Sequence, residues 1–296
     1  ALGGLVFALH PVHVEAVGNV VGQAELWSAG AVIAAVTVYL RARRNGLDPD
    51  RETLFIIAGL YFGGMMFKEN AIVLPALIVA AELFVVRDTR PWRARVAPLV
   101  SLLVWLTFLA SLFLLVRIEV TGEIGGDVEH PALRNLGFTQ RAWLMLALAP
   151  EFARLLIWPA RLYADYSPQE VPALPSPTQY HVGGALLLLC LIVLAVVSFR
   201  RFPLVTFTLA WIGVTVAPVA NLLLPTGILI AERTLFLPSV GAVILGAALV
   251  PWWIDRLASK ARHWRILAAG ALAVVLVAGA SRSAERQRAW RDSETV

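Results

Sequence analysis

Apolar runs long enough to cross a membrane, or nearly so, recur along this chain at 20–40, 53–67, 71–86, 96–117, 182–198, 204–222, 234–254 and 266–281, with arginine gathered in several of the short breaks. A helix needs about 20 mostly apolar residues to cross the hydrocarbon core of a bilayer. One broad solution is therefore open to the chain, a bundle of helices in a membrane. Charged residues make up 15% of it, against about 25% in a soluble domain. That leaves too little polar surface to cover a water-facing globule. The fold class expected is all-α, a polytopic membrane helix bundle with about eight complete spans and, in residues 1–9, the end of one more.

The charges then orient the bundle. Four short loops, around Arg41/Arg43/Arg44/Arg51, Arg87/Arg90/Arg93/Arg95, Arg200/Arg201 and Arg256/Lys260/Arg262/Arg265, hold 14 of the 25 lysines and arginines. The positive-inside rule places them in the cytoplasm, so the net charge of +5 points to membrane topology and not to nucleic acid. The remaining polar stretches fall outside: residues 10–19, the Lys68-Glu69-Asn70 turn, 118–181, 223–233 and the tail after Ser281. Residues 142–158 resist the scheme, because one crossing there would reverse every later loop. The run carries Pro150, Glu151 and Arg154, which are costly against lipid. It reads as interfacial or re-entrant helices within an external loop subdomain, 118–181. A hairpin of two short spans would keep the same parity. Cys190 lies alone in an apolar run and has no partner for a disulfide within the chain. No inverted repeat is visible, which argues against a secondary transporter.

Ionisable residues at the external ends are the candidates for chemistry. His10, His13 and Glu15 close the opening run in the order His-Pro-Val-His-Val-Glu, and Glu25 lies several residues into the next apolar run. Two histidines at i,i+3 can share a helical face, but the spacing is not that of the H-E-x-x-H zinc motif. The alternatives are a polar cap at headgroup level and a metal site, the latter lacking further ligands at diagnostic spacing. Glu25 is a functional candidate because an intramembrane carboxylate is expensive to keep. Lys68 and Glu69 are either a self-neutralising pair or a lysine placed for phosphate with Glu69 setting its orientation. Glu232 and Arg233 follow a proline-interrupted helix end, and the planar guanidinium of arginine suits phosphate oxygens. Asp165, in Tyr-Ala-Asp-Tyr-Ser-Pro, is either a turn former or a substrate contact. Asp127, Glu129 and His130 read as a solvated loop.

Five segments occur in the order of one family's blocks: FALHPVHVEAVGNVVGQAELWS, MMFKENAIVLP, LLIWPARLYADYSP, PVANLLLPTGILIAERTLFLPSVG and RQRAWRDSE. They resemble the transmembrane, tetratricopeptide-repeat-containing O-mannosyltransferases, which have bacterial homologues. The resemblance implies a C-superfamily glycosyltransferase that takes a hexose, mannose, from a polyprenyl-phosphate carrier and transfers it to Ser/Thr hydroxyls of exported protein. It implies that residues 1–281 form the transferase-like membrane domain and 282–296 a linker to a repeat domain. It also implies an upstream catalytic aspartate, in a loop before Ala1. On this reading Arg233 and Lys68 contact phosphate, aided by Glu232 and Glu69. His10, His13 and Asp165 contact sugar or acceptor, and Glu15 and Glu25 are further candidate catalytic carboxylates. No cofactor or metal is required, and the lipid-linked sugar is a substrate. The expected location is the bacterial inner membrane, with the site and C-terminus on the periplasmic side. Competing readings are a lipid-linked sugar flippase or polymerase, and a non-catalytic anchor for the repeats.

Overall fold

The computed structural model describes residues 2–44, 46–122, 130–163, 166, 177–222, 225, 227–258 and 263–290. Among these there is no strand. The helices are α1 (Leu2–Ala8), α2 (Val14–Gly18), α3 (Gln23–Arg43), α4 (Arg51–Phe67), α5 (Leu74–Phe84), α6 (Trp92–Thr121), α7 (Phe138–Ile157), α8 (Gln179–Arg201), α9 (Pro203–Val216), α10 (Phe236–Ala258) and α11 (His263–Arg288). Short 3-10 turns at Pro11–His13, Glu69–Val73, Ala217–Val219 and Glu232–Leu235 join them where charge or proline interrupts the apolar runs.

The protein is an all-α membrane helix bundle. Among the described residues, five helical segments are long and apolar enough to cross a membrane: Gln23–Arg43, Arg93–Thr121, Gln179–Arg201, Glu232–Leu249 and Ile266–Arg288. Their outward side chains are apolar. Val104, Trp105 and Phe108 of α6, and Leu186, Leu189 and Ile192 of α8, are exposed, a face that water would penalise and lipid accepts. The runs at 53–67, 71–86 and 204–222, expected as spans, fold as α4, α5 and α9 with 17, 11 and 14 residues. Proline contributes to the shortness, because it has no N–H to extend a helix. Pro75 opens α5, and Pro218 turns the end of α9 into a 3-10 turn. Residues 142–157 form no helix pair; they belong to the single helix α7, which has Pro150 inside it and ends before Trp158.

The chain divides into two compact units, one of residues 1–23, 146–212 and 230–296, the other of 24–145 and 213–229. In the first unit α1 packs on α10, and α10 on α11. The Trp211 indole donates to the Leu237 carbonyl at 2.9 Å. Gly184 of α8 is where backbone meets backbone: a β-carbon there would collide with the Leu146 carbonyl oxygen.

In the second unit α4 packs on α6 around Ile57, Tyr61, Leu102 and Leu106, all buried. The end of α3 is held by ions. The Arg43 side chain, 2% exposed, donates from Nε and Nη2 to the two oxygens of Glu82 at 3.1 and 2.7 Å. It also reaches Asp88 at 2.8 Å, Asp48 at 3.2 Å and the Leu47 carbonyl at 2.6 Å. Tyr39 donates to Glu82 at 2.8 Å, Arg95 adds a bond of 3.1 Å, and Arg90 bridges Asp48 and Asp88. Two of the loops that sequence marks only as arginine-rich are thus tied together by three carboxylates.

Candidate functional site

The first unit assembles a site from the segment after α1, the turn before α10 and the end of α11. His10 caps the Pro11–His13 turn, its Nδ1 accepting from the Val12 amide at 3.4 Å. This aims α2 so that Glu15, 1% exposed, faces the Glu232–Leu235 turn. Glu15 accepts from the Arg233 amide at 2.9 Å and from Arg233 Nη1 at 2.6 Å. No hydrogen bond or ion pair joins the remaining guanidinium nitrogens of Arg233, Nε and Nη2, to the described residues, and the side chain is 18% exposed. One arm of the fork is therefore clamped while the other can take a ligand's oxygen atoms.

Glu232, expected to aid Arg233, does not pair with it. Adjacent residues of a helical turn do not face each other, and each of the two finds a distant partner. Glu232 is fully buried, and its Oε1 accepts from the Tyr163 amide at 2.9 Å, the Tyr166 hydroxyl at 3.1 Å and Arg286 Nη2 at 3.2 Å. Arg286 and the two tyrosines escape a reading of sequence. Arg286 lies in the stretch read as a linker, although α11 runs on to Arg288. The one available signal is its i,i+4 spacing from Arg282 and Trp290, which marks a continuing helix face.

His13 is enclosed between Phe7 and Phe236, with ring centroids 4.4 and 4.7 Å away. His13 Nε2 lies 2.8 Å from Ser239 Oγ, within hydrogen-bond distance, and the Ser239 hydroxyl also lies 2.7 Å from the Phe236 carbonyl. Burial pushes His13 down to about 3, with the neighbouring His10 adding to the shift. Burial likewise lowers His10 to about 4, opposed by the carbonyls of Ile157 and Leu156. Both rings are neutral at pH 7, so neither brings a positive charge to an anion. The linkage follows: below about 6.5 an unfolded chain takes up two protons that the fold refuses, so stability falls as pH drops toward 4 and levels off below the folded values. The melting temperature in detergent should fall between pH 7 and 4.5, and His13→Gln should flatten that fall. An equal slope in the variant would remove His13 from the account.

The second unit holds the lysine. Lys68 caps the end of α4, and its Nζ lies 3.9 Å from Glu25 Oε1, while Asn70 donates to Glu25 Oε2 at 2.9 Å. Ser28 donates to the Lys68 carbonyl at 3.2 Å. The expected Lys68–Glu69 pair is absent for the same reason as before. Glu69 faces Arg117 at 3.6 Å, and the partner of Lys68 is the buried carboxylate Glu25. Lys68 is about one-third exposed, a cation anchored at one end of α3. Asp165, Asp127 and Glu129 lie outside the described residues; His130 is buried.

Comparison with known proteins gives this arrangement a context. Protein O-mannosyl-transferase Tmtc3 of Drosophila melanogaster is 28% identical over 98% of this chain and 35% of its own length. Human protein O-mannosyl-transferase TMTC4 is 26% identical over 100% of the chain and 43% of its own length, and human TMTC3 is 28% identical over 83% and 29%. The chain spans roughly a third of the length of these relatives. No family model matches the chain, and no solved structure matches it. Over most or all of its length, then, this membrane helix bundle is similar to fly and human proteins named as protein O-mannosyl-transferases.

Proposed function

We propose that this chain is the membrane portion of a protein O-mannosyltransferase in the tetratricopeptide-repeat-containing family, drawing its sugar from a polyprenyl-phosphate carrier. The observation that carries the reading is Arg233. It is one clamped, half-open guanidinium, set by Glu15 at the start of a span. In the reaction an acceptor Ser or Thr oxygen attacks the anomeric carbon and the bond from that carbon to the phosphate oxygen breaks. The hydroxyl proton passes to a carboxylate, and the carrier phosphate leaves with the bonding electrons. That phosphate gains one negative charge as it departs, and a preorganised guanidinium stabilises the gain. Glu15 orients Arg233. In the second unit Lys68, beside Glu25, is a separate candidate for a phosphate group, and Asp165 is a candidate contact for sugar or acceptor. The chemistry requires no metal. The site faces the periplasmic side of a bacterial inner membrane, opposite the arginine-rich loops.

The test is transfer of labelled mannose from polyprenyl-phosphate mannose to a Ser/Thr-containing peptide, by the full-length protein in proteoliposomes. Label on peptide hydroxyls is the expected result. Label that crosses the bilayer without reaching peptide would make the chain a flippase, and neither event would make it an anchor.

A further inference from the structure

Helix α8 ends on two arginines that no described carboxylate balances. Its 23 residues, Gln179–Arg201, rise about 35 Å at 1.5 Å each, slightly more than the roughly 30 Å hydrocarbon core. Arg200 and Arg201 close its last turn, so a spanning α8 holds them at the level of the lipid headgroups. No Asp or Glu stands between Glu170 and Glu232 in the sequence. Both arginines are exposed, and neither guanidinium has a hydrogen bond or ion pair with the described residues. The contrast is with Arg43, Arg90 and Arg95, which Glu82, Asp88 and Asp48 neutralise.

The two arginines line a cavity of about 560 Å³, whose other walls among the described residues are Val196, Val197 and Phe199. Those three side chains are exposed. With Leu189, Ile192 and Val193, also exposed, they recur at steps of three and four, one apolar stripe that Arg200 continues. The corner that carries the charges is ordered. The Phe202 amide donates to the Ser198 carbonyl at 2.8 Å, and the Val205 amide to the Phe202 carbonyl at 2.8 Å. The buried hydroxyls of Ser198 and Thr206 lie 3.1 Å apart, tying the end of α8 to the start of α9. Because α9 begins at Pro203, its positive N-terminal end offsets the negative C-terminal end of α8 beside the arginines. We propose that this corner binds an anionic phospholipid, with its phosphate on Arg200 and Arg201 and an acyl chain along Val196, Val197 and Phe199. The guanidinium fork suits phosphate oxygens, and basic pockets at the ends of spanning helices take such headgroups. This lipid site is independent of the sugar-transfer reading.

The experiment is native mass spectrometry of the full-length protein in detergent, titrated separately with phosphatidylglycerol and phosphatidylcholine. Phosphatidylglycerol should bind about 25-fold more tightly, each arginine contributing about fivefold near an anionic headgroup. Arg200→Gln/Arg201→Gln should lose most of that preference, and exposed side chains such as these are tolerant of substitution. Arg200→Lys/Arg201→Lys, which keeps both charges, should retain most of it. Arg41→Gln/Arg44→Gln removes two exposed charges at the end of α3 and should leave the preference in place. Glycerol phosphate, which has the phosphate without acyl chains, should not displace the lipid. Equal binding of the two lipids by the wild type overturns the lipid site, as does a full preference in Arg200→Gln/Arg201→Gln. An equal loss in Arg41→Gln/Arg44→Gln also overturns it, because any basic loop would then serve. Displacement by glycerol phosphate overturns it in favour of a site for a soluble phosphate ester.

Discussion

Arg43→Ala should destabilise the protein by about 3–5 kcal/mol, the cost of removing one partner from a buried ion pair. Its side chain is 2% exposed and Glu82 opposite it is 4% exposed, so the loss strands a carboxylate where water cannot reach it. Arg95 and Tyr39 still touch Glu82, but neither replaces the two-pronged contact that Arg43 makes. Removing both charges is a different experiment. Arg43→Met/Glu82→Leu leaves Arg90 and Arg95 to balance Asp48 and Asp88, and should recover most of the loss, as buried pairs replaced by apolar groups often do. Asp48→Asn, at a side chain 40% exposed, should cost under about 1 kcal/mol. Unfolding in detergent, followed for the three variants together, checks the pattern. A loss below about 1 kcal/mol for Arg43→Ala, the value of a solvated surface pair, would show that the network adds nothing to the fold.

Arg233 carries the second large effect, on activity. Arg233→Lys keeps the charge and loses the fork, so mannose transfer should fall substantially while expression and melting stay close to wild type. Arg233→Ala should be worse. Losing a charge-assisted hydrogen bond of about 1.5–3 kcal/mol corresponds to roughly a 10- to 150-fold drop in kcat/KM. The alternative is that Arg233 only neutralises Glu15, the carboxylate it touches at 2.6 Å. In that case Glu15→Gln/Arg233→Gln restores transfer, and full activity in that double variant would end the phosphate role. The control has to be Glu15, because Glu232 pairs with Arg286.

The charged residues that matter could be found along the chain; their partners could not. Lys68, Glu69, Glu232 and Arg233 stand out because charge is conspicuous beside apolar runs. Reading each adjacent pair as an ion pair fails on geometry, since neighbours in a helical turn point apart. Arg233 meets a carboxylate 218 positions away, and Glu232 meets an arginine 54 positions away. The arginine clusters show the same limit. Their count marks a membrane face, while the three carboxylates that bind them become visible only once α3 and α5 bring their ends together.

What the sequence determined by itself is the class of fold, because the length of an apolar run and the burial of backbone polar groups in lipid leave helices as the solution. It marked the charged turns and the proline-interrupted end before Glu232 too, because those act within one turn of helix, while the short α5 behind Pro75 was not legible in it. Tertiary structure alone decided that α7 is one helix, that α11 reaches past Ser281 to hold Glu232, and that His13 is enclosed and neutral. Each of these depends on which surfaces pack together, and a local pattern of residues does not encode a partner that lies elsewhere in the chain.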